Sequence, residues 1–117
     1  MGELTTHLLD LTRGRPAAGV RIDVYRVADR ALEYICSRTT GEDGRLTTPL
    51  LKGADMRAGV YELAVRLGDY FRVDDARRER ALLFDVVTVR FVIERPEENF
   101  HIPLLVTPWS YQVYRGS

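Results

Sequence analysis

The feature that most constrains this chain is a repeated alternation of apolar and polar side chains with a period of two. Tyr61, Leu63, Val65 and Leu67 alternate with Glu62, Ala64 and Arg66, and Val87, Val89, Phe91 and Ile93 with Thr88, Arg90 and Val92. A helix would scatter such residues around its axis, whereas an extended strand places them on one face. The same pattern predicts strands over Leu4–Asp10, Val20–Tyr25, Leu32–Ser37, His101–Val106 and Trp109–Tyr114, with Pro103 suiting an edge or a bulge. Between them lie turn signals at Arg13–Gly19, Gly68-Asp69, Arg95–Asn99 and Pro108. Asp43-Gly44 supplies the backbone angles of a tight hairpin. The single predicted helix runs from Asp74 to Leu83, capped by Asp74 or Asp75 and solvated by Arg77, Arg78, Glu79 and Arg80. Short strands at close intervals specify an all-β antiparallel sandwich with one short helix, formed as a single domain over residues 1–117.

Composition narrows the function. Seventeen basic residues balance seventeen acidic ones. A nucleic-acid binder needs excess positive charge to neutralise phosphates, so no nucleic-acid partner is expected. Cys36, the only cysteine, permits no internal disulfide and no cysteine metal cluster. No apolar run is long enough to span a membrane, and no signal peptide opens the sequence as written. A cytoplasmic location is expected by default.

The chemistry-bearing residues are few. His7 lies on a strand face with Thr5 and Leu9, and His101 opens the penultimate strand. A lone histidine on a strand is more often structural than catalytic, yet imidazole suits proton transfer near neutrality. Arg45 follows the Asp43-Gly44 turn, where an exposed hairpin arginine is the ordinary reading and an anion-binding guanidinium the functional one. The last four residues, Tyr114-Arg115-Gly116-Ser117, crowd a phenol, a guanidinium and a hydroxyl behind a strand that ties them down. Phosphate loops, HExxH and GxSxG motifs are absent, so neither a zinc site nor a serine-nucleophile triad is indicated.

Several motifs, in order along the chain, resemble the transthyretin-like 5-hydroxyisourate hydrolases. They are Leu4-Thr5-Thr6-His7-Leu8-Leu9-Asp10 with Gly14–Gly19, then Asp43-Gly44-Arg45, Gly59–Leu63, Gly68–Phe71, His101–Leu105 and Pro108-Trp109. The closing Tyr114-Arg115-Gly116-Ser117 resembles the tetrapeptide that separates these hydrolases from transthyretin, the hormone carrier of the same fold. Phe100, where the family often has Tyr, and Thr88, where Pro is usual, are modest departures.

The resemblance implies two four-stranded sheets with a short helix between the fifth and sixth strands. It also implies a homotetramer, a dimer of dimers with active sites at the dimer–dimer interface. The implied reaction is hydrolysis of 5-hydroxyisourate to 2-oxo-4-hydroxy-4-carboxy-5-ureidoimidazoline in urate degradation, with no metal or cofactor. Its catalytic positions fall on His7, Arg45, His101 and Ser117, and its substrate contacts on His7, Arg45, Tyr114, Arg115 and Gly116. The alternatives are a non-catalytic transthyretin-like carrier of a small ligand and a structural sandwich that associates through edge strands.

Overall fold

The computed structural model describes residues 2–72 and 82–117. Its strands are β1 (Leu4–Asp10), β2 (Arg15–Pro16), β3 (Arg21–Ala28), β4 (Ala31–Thr39), β5 (Gly59–Val65), β6 (Val87–Ile93), β7 (Phe100–Thr107) and β8 (Ser110–Val113). They form two four-stranded sheets, ordered β2-β1-β7-β8 and β4-β3-β5-β6. The alternation works as expected where each sheet has one face on the core. Tyr61, Leu63 and Val65 of β5 and Leu4 and Leu8 of β1 are wholly buried, as are Ile22, Val24 and Leu104. No helix among the described residues is long and apolar enough to cross a membrane.

One pairing departs from a wholly antiparallel plan. β1 and β7 run parallel over seven residues, from Leu4 opposite Phe100 to Asp10 opposite Val106. Alternation reports which face a residue occupies and says nothing of a neighbouring strand's direction, so this pairing had no sequence signal.

A helix also forms where a turn was expected. α1 spans Leu67–Arg72, between β5 and β6. Gly68-Asp69, expected to end a strand in a turn, sits inside its first turn. Leu67 and Phe71 stand four apart and are both buried, so a single helical turn docks both on the core. The Tyr70 hydroxyl adds a 2.7 Å hydrogen bond to the carboxylate of Asp10, which is fully buried on β1. The helix expected over Asp74 to Leu83 falls mostly outside the described residues, and Leu82 and Leu83 are not helical.

Two further expectations shift. β4 does not alternate in burial: Leu32 and Tyr34 are 50% and 60% exposed. A register shift pairs Val24 with Cys36 and then Tyr25 with Tyr34, which breaks the two-residue phase along this edge strand. The Asp43-Gly44 turn does not close a hairpin between neighbouring strands. Gly44 N–H donates to the Gly41 carbonyl at 2.9 Å, and the chain beyond crosses to the other sheet, where Arg45 bridges to His7.

Asp23 on β3 pins the second sheet. Its buried carboxylate accepts from Ser37 Oγ on β4, from Arg21 Nε at 2.8 Å and from Arg66 Nε at 3.1 Å. Burial opposes its charge, but the hydrogen bonds from Ser37, Arg21 and Arg66 outweigh that and hold its pKa below the usual carboxylate value. Its charge therefore stabilises the fold above the unfolded-state pKa, and that stabilisation fades as pH falls through the lower folded-state value. Asp23→Asn keeps the volume but turns one acceptor into a donor facing guanidinium groups. It should cost about 1–3 kcal/mol at neutral pH. Urea denaturation of both forms should show the gap narrowing below about pH 4, because only the wild-type protein loses this charge there; a gap independent of pH would refute the role.

Candidate active site

The site is built on the outer face of the first sheet. Along β1 the core side takes Leu4, Thr6, Leu8 and Asp10, which leaves Thr5, His7 and Leu9 half-buried on the other side. The parallel register sets Thr5 opposite His101 and His7 opposite Pro103. Residues opposite one another in a ladder share a face, so both histidines emerge on the same surface.

Thr5 Oγ1 lies 2.9 Å from His101 Nδ1. His7 Nε2 lies 2.9 Å from the Asp43 carbonyl oxygen. A carbonyl only accepts, so His7 Nε2 carries the proton and donates it. That bond joins His7 to the turn that delivers Arg45. The turn needs Gly44, whose φ is +77° and whose hydrogen stands where a Cβ would meet the Leu8 carbonyl oxygen. Asp43 Oδ1 accepts the Arg45 backbone N–H at 2.9 Å, which braces the same corner. The Arg45 guanidinium has no hydrogen-bonding partner among the described residues and is exposed.

The C-terminal tetrapeptide completes the surface in part. Gly116 bridges to His101, with its N–H donating to the His101 carbonyl at 2.7 Å. A Cβ at Gly116 would come within 2.7 Å of the His101 ring at Cδ2, so only glycine lets the tail lie this close. Arg115 turns away from the histidines. Its guanidinium stacks over Phe100 at 4.6 Å from the ring centroid and lies 3.3 Å from Glu98 Oε1. Tyr114 and Arg115 line a separate hollow of about 340 Å³ with Phe91, Phe100 and Val113.

What remains is a cleft of about 450 Å³ whose walls include Thr5, Arg45, Asn99, Phe100, His101 and Ser117. Of the residues expected at the site, Arg45, His101 and Ser117 therefore line one cavity, and His7 adjoins it through Arg45 and Asp43. Thr5 and Asn99 also line it, and nothing in the sequence marks either as a site residue. Thr5 reaches the cleft only through the β1–β7 register, and Asn99 reaches it from the turn before β7, where it resembled ordinary turn composition.

Electrostatics distinguish the two histidines. Burial lowers the His101 pKa from its ordinary value, and electrostatic interaction with nearby Arg45 and His7 lowers it further, while a hydrogen bond to the Thr5 backbone works in the other direction. His101 is therefore a neutral imidazole at neutral pH. A neutral imidazole can take a proton from water, and an exposed guanidinium beside it can offset charge developing on a carbonyl oxygen. No group of three or more His, Cys, Asp or Glu able to hold a metal occurs among the described residues.

Comparisons with known proteins show the family. The profile of the HIUase/Transthyretin family matches residues 4–116. A 5-hydroxyisourate hydrolase of Pseudomonas aeruginosa is 44% identical over 117 residues, covering 100% of this chain and 93% of the relative. The solved structure of Klebsiella pneumoniae 5-hydroxyisourate hydrolase superposes with a TM-score of 0.80 at 34% identity, covering all of both chains. Sea bream transthyretin, solved in complex with thyroxine, superposes with a TM-score of 0.83 at 25% identity over 97% of this chain and 94% of that one. From the match across both sheets and the C-terminal tail, the chain belongs to the HIUase/Transthyretin family.

Proposed function

We infer that this protein is an enzyme that hydrolyses 5-hydroxyisourate, opening a ring amide to give 2-oxo-4-hydroxy-4-carboxy-5-ureidoimidazoline. The observation that carries the reading is a cleft in which neutral His101, Ser117 and Arg45, unpaired among the described residues, meet, in a chain 44% identical to a protein named for this reaction. In the proposed step, water attacks the ring carbonyl carbon as an imidazole takes one of its protons. Arg45 offsets the negative charge that builds on the carbonyl oxygen. The proton then passes to the ring nitrogen as the C–N bond breaks, which leaves a carboxylate and a free N–H. His7 holds the Arg45 corner through Asp43, Ser117 closes one end of the cleft, and Gly116 lets the tail approach His101. A carrier of the transthyretin kind would bind a ligand with its ring intact and would have no use for a neutral histidine beside an exposed guanidinium.

The proposal includes a homotetramer, a dimer of dimers with the clefts at the interface between dimers. Edge strands β6 and β8 support it, since each sheet offers an unpaired edge there among the described residues. Exposed Val92 and Trp109, at 65% and 64%, lie on or beside those edges. Tyr114 and Arg115 are proposed to contact substrate from the assembled interface, since within one chain they line the neighbouring hollow. A cytoplasmic location is part of the same proposal, and the unpaired thiol of Cys36 suits a reducing compartment.

Fresh 5-hydroxyisourate, made in place from urate by urate oxidase, allows a direct test by its ultraviolet decay. The protein should accelerate that decay, and His101→Asn should lower kcat/KM by about 10²–10⁴ while melting within a few degrees of wild type. Decay at the spontaneous rate would overturn the hydrolase reading in favour of the carrier. The pH profile tests the state of His101. With its pKa lowered, kcat/KM should be on a plateau at neutral pH and fall only on an acidic limb centred below 6.5. A limb centred at or above that value would mean that His101 is not the titrating base. Light scattering should give four times the chain mass, and an active monomer would remove the interface from the mechanism.

A further inference from the structure

The two histidines differ in which ring nitrogen is left for chemistry. His7 spends Nε2–H on the Asp43 carbonyl. In His101 the crowded side of the ring is the other one. Nδ1 lies 2.9 Å from Thr5 Oγ1, and Cδ2 abuts Gly116 so closely that no Cβ fits there. Nδ1 and Cδ2 are the two ring atoms bonded to Cγ, so the unoccupied nitrogen is Nε2, on the far edge of a residue that lines the cleft.

A neutral imidazole exists as two tautomers, and only one serves a base acting through Nε2. With the proton on Nδ1, the Nε2 lone pair is free to accept from water. With the proton on Nε2, the lone pair would face Thr5 and the cleft would meet a donor. The Thr5 hydroxyl oxygen offers Nδ1 an acceptor, and a hydrogen bond with the Thr5 backbone also favours the protonated ring. The hydroxyl is held in place because Thr5 is opposite His101 in the parallel ladder, inside seven consecutive pairs. Its own proton remains free for water or substrate in the cleft, which Thr5 also lines.

We propose that Thr5 is a positioning residue: its hydroxyl keeps the His101 proton on Nδ1 and thereby leaves Nε2 as the basic atom facing the cleft. The consequence for rate rests on the hydrolase reading above, whereas the tautomer does not. Residues that orient a catalytic histidine act in this way in other hydrolytic sites, where the third group fixes ring orientation and proton position.

The test uses the full chain labelled with ¹⁵N-histidine, with Thr5→Val and Thr5→Ser beside it, and His101→Asn to assign the signals. Long-range proton–nitrogen spectra at about pH 8, above the ordinary histidine range, should show wild-type His101 with a protonated Nδ1 and an unprotonated Nε2. Thr5→Val, nearly the same shape without the hydroxyl, should give averaged nitrogen shifts and a kcat lower by about tenfold or more, with KM little changed. Thr5→Ser restores the hydroxyl and should keep the wild-type spectrum and most of kcat. Three results would each overturn the proposal: a proton on Nε2 in the wild type, a Thr5→Val form with unchanged spectrum and kcat, or a Thr5→Ser form as impaired as Thr5→Val. A changed Thr5→Val spectrum in a protein without hydrolase activity would uphold the positioning role and reject the hydrolase reading alone.

Discussion

The parallel ladder between β1 and β7 is the constraint on which the rest of the site depends. It joins residues almost a hundred positions apart, setting Thr5 against His101 and His7 against Pro103. Because side chains alternate strictly, a slip of one residue would send Thr5 and His7 into the core and Thr6 and Leu8 out of it. That slip is opposed by full burial of Leu4, Leu8, Leu104 and Val106 on the inner face. The Thr6 hydroxyl also locks the register, donating to the Ile102 carbonyl at 2.6 Å. Packing on one face of the sheet thus sets the chemistry on the other.

Onto this ladder the chain brings two segments with no regular structure of their own. The turn around Gly44 carries Arg45 across from the second sheet and is anchored by the His7 ring and the Leu8 N–H, which donates to the Gly44 carbonyl at 2.9 Å. The tail comes from β8 and is anchored by Gly116 on His101 and by Arg115 over Phe100. Both approaches rely on a glycine where a side chain would collide with the ladder. Arg45 and the C-terminal tail are therefore held against the ladder by backbone contacts. Arg45 is the clearest case, because its backbone is bonded on both sides while its guanidinium is not engaged among the described residues.

Charge is placed with the same economy. The buried carboxylates Asp10 and Asp23 each serve to tie elements together, Asp10 to α1 through Tyr70 and Asp23 to the β4 and β5 sides through Ser37 and Arg66. The His101 pKa is lowered by burial first, then by the neighbouring Arg45 and His7. A carboxylate there would pull the histidine toward its protonated form and remove its lone pair at neutral pH.

The sequence by itself determined the strands, the sandwich class and the identities of the chemical groups. Strand alternation is local, and a core face reveals itself in five or six residues, as in Tyr61–Val65. Family motifs also made His7, Arg45, His101 and Ser117 legible as candidates, because their types and order are carried in the letters. Tertiary structure alone decided that β1 and β7 run parallel, that Thr5 stands beside His101, and that Arg115 clamps the tail to Phe100 and Glu98. It also folded Leu67–Arg72 into a helix, where docking on the core and on Asp10 outweighs the turn character of Gly68-Asp69. The physical reason is common to all of these. Alternation encodes which face a side chain takes, but partner, direction and proximity arise from contacts between distant segments, whose free energy appears only when the two sheets close on one core.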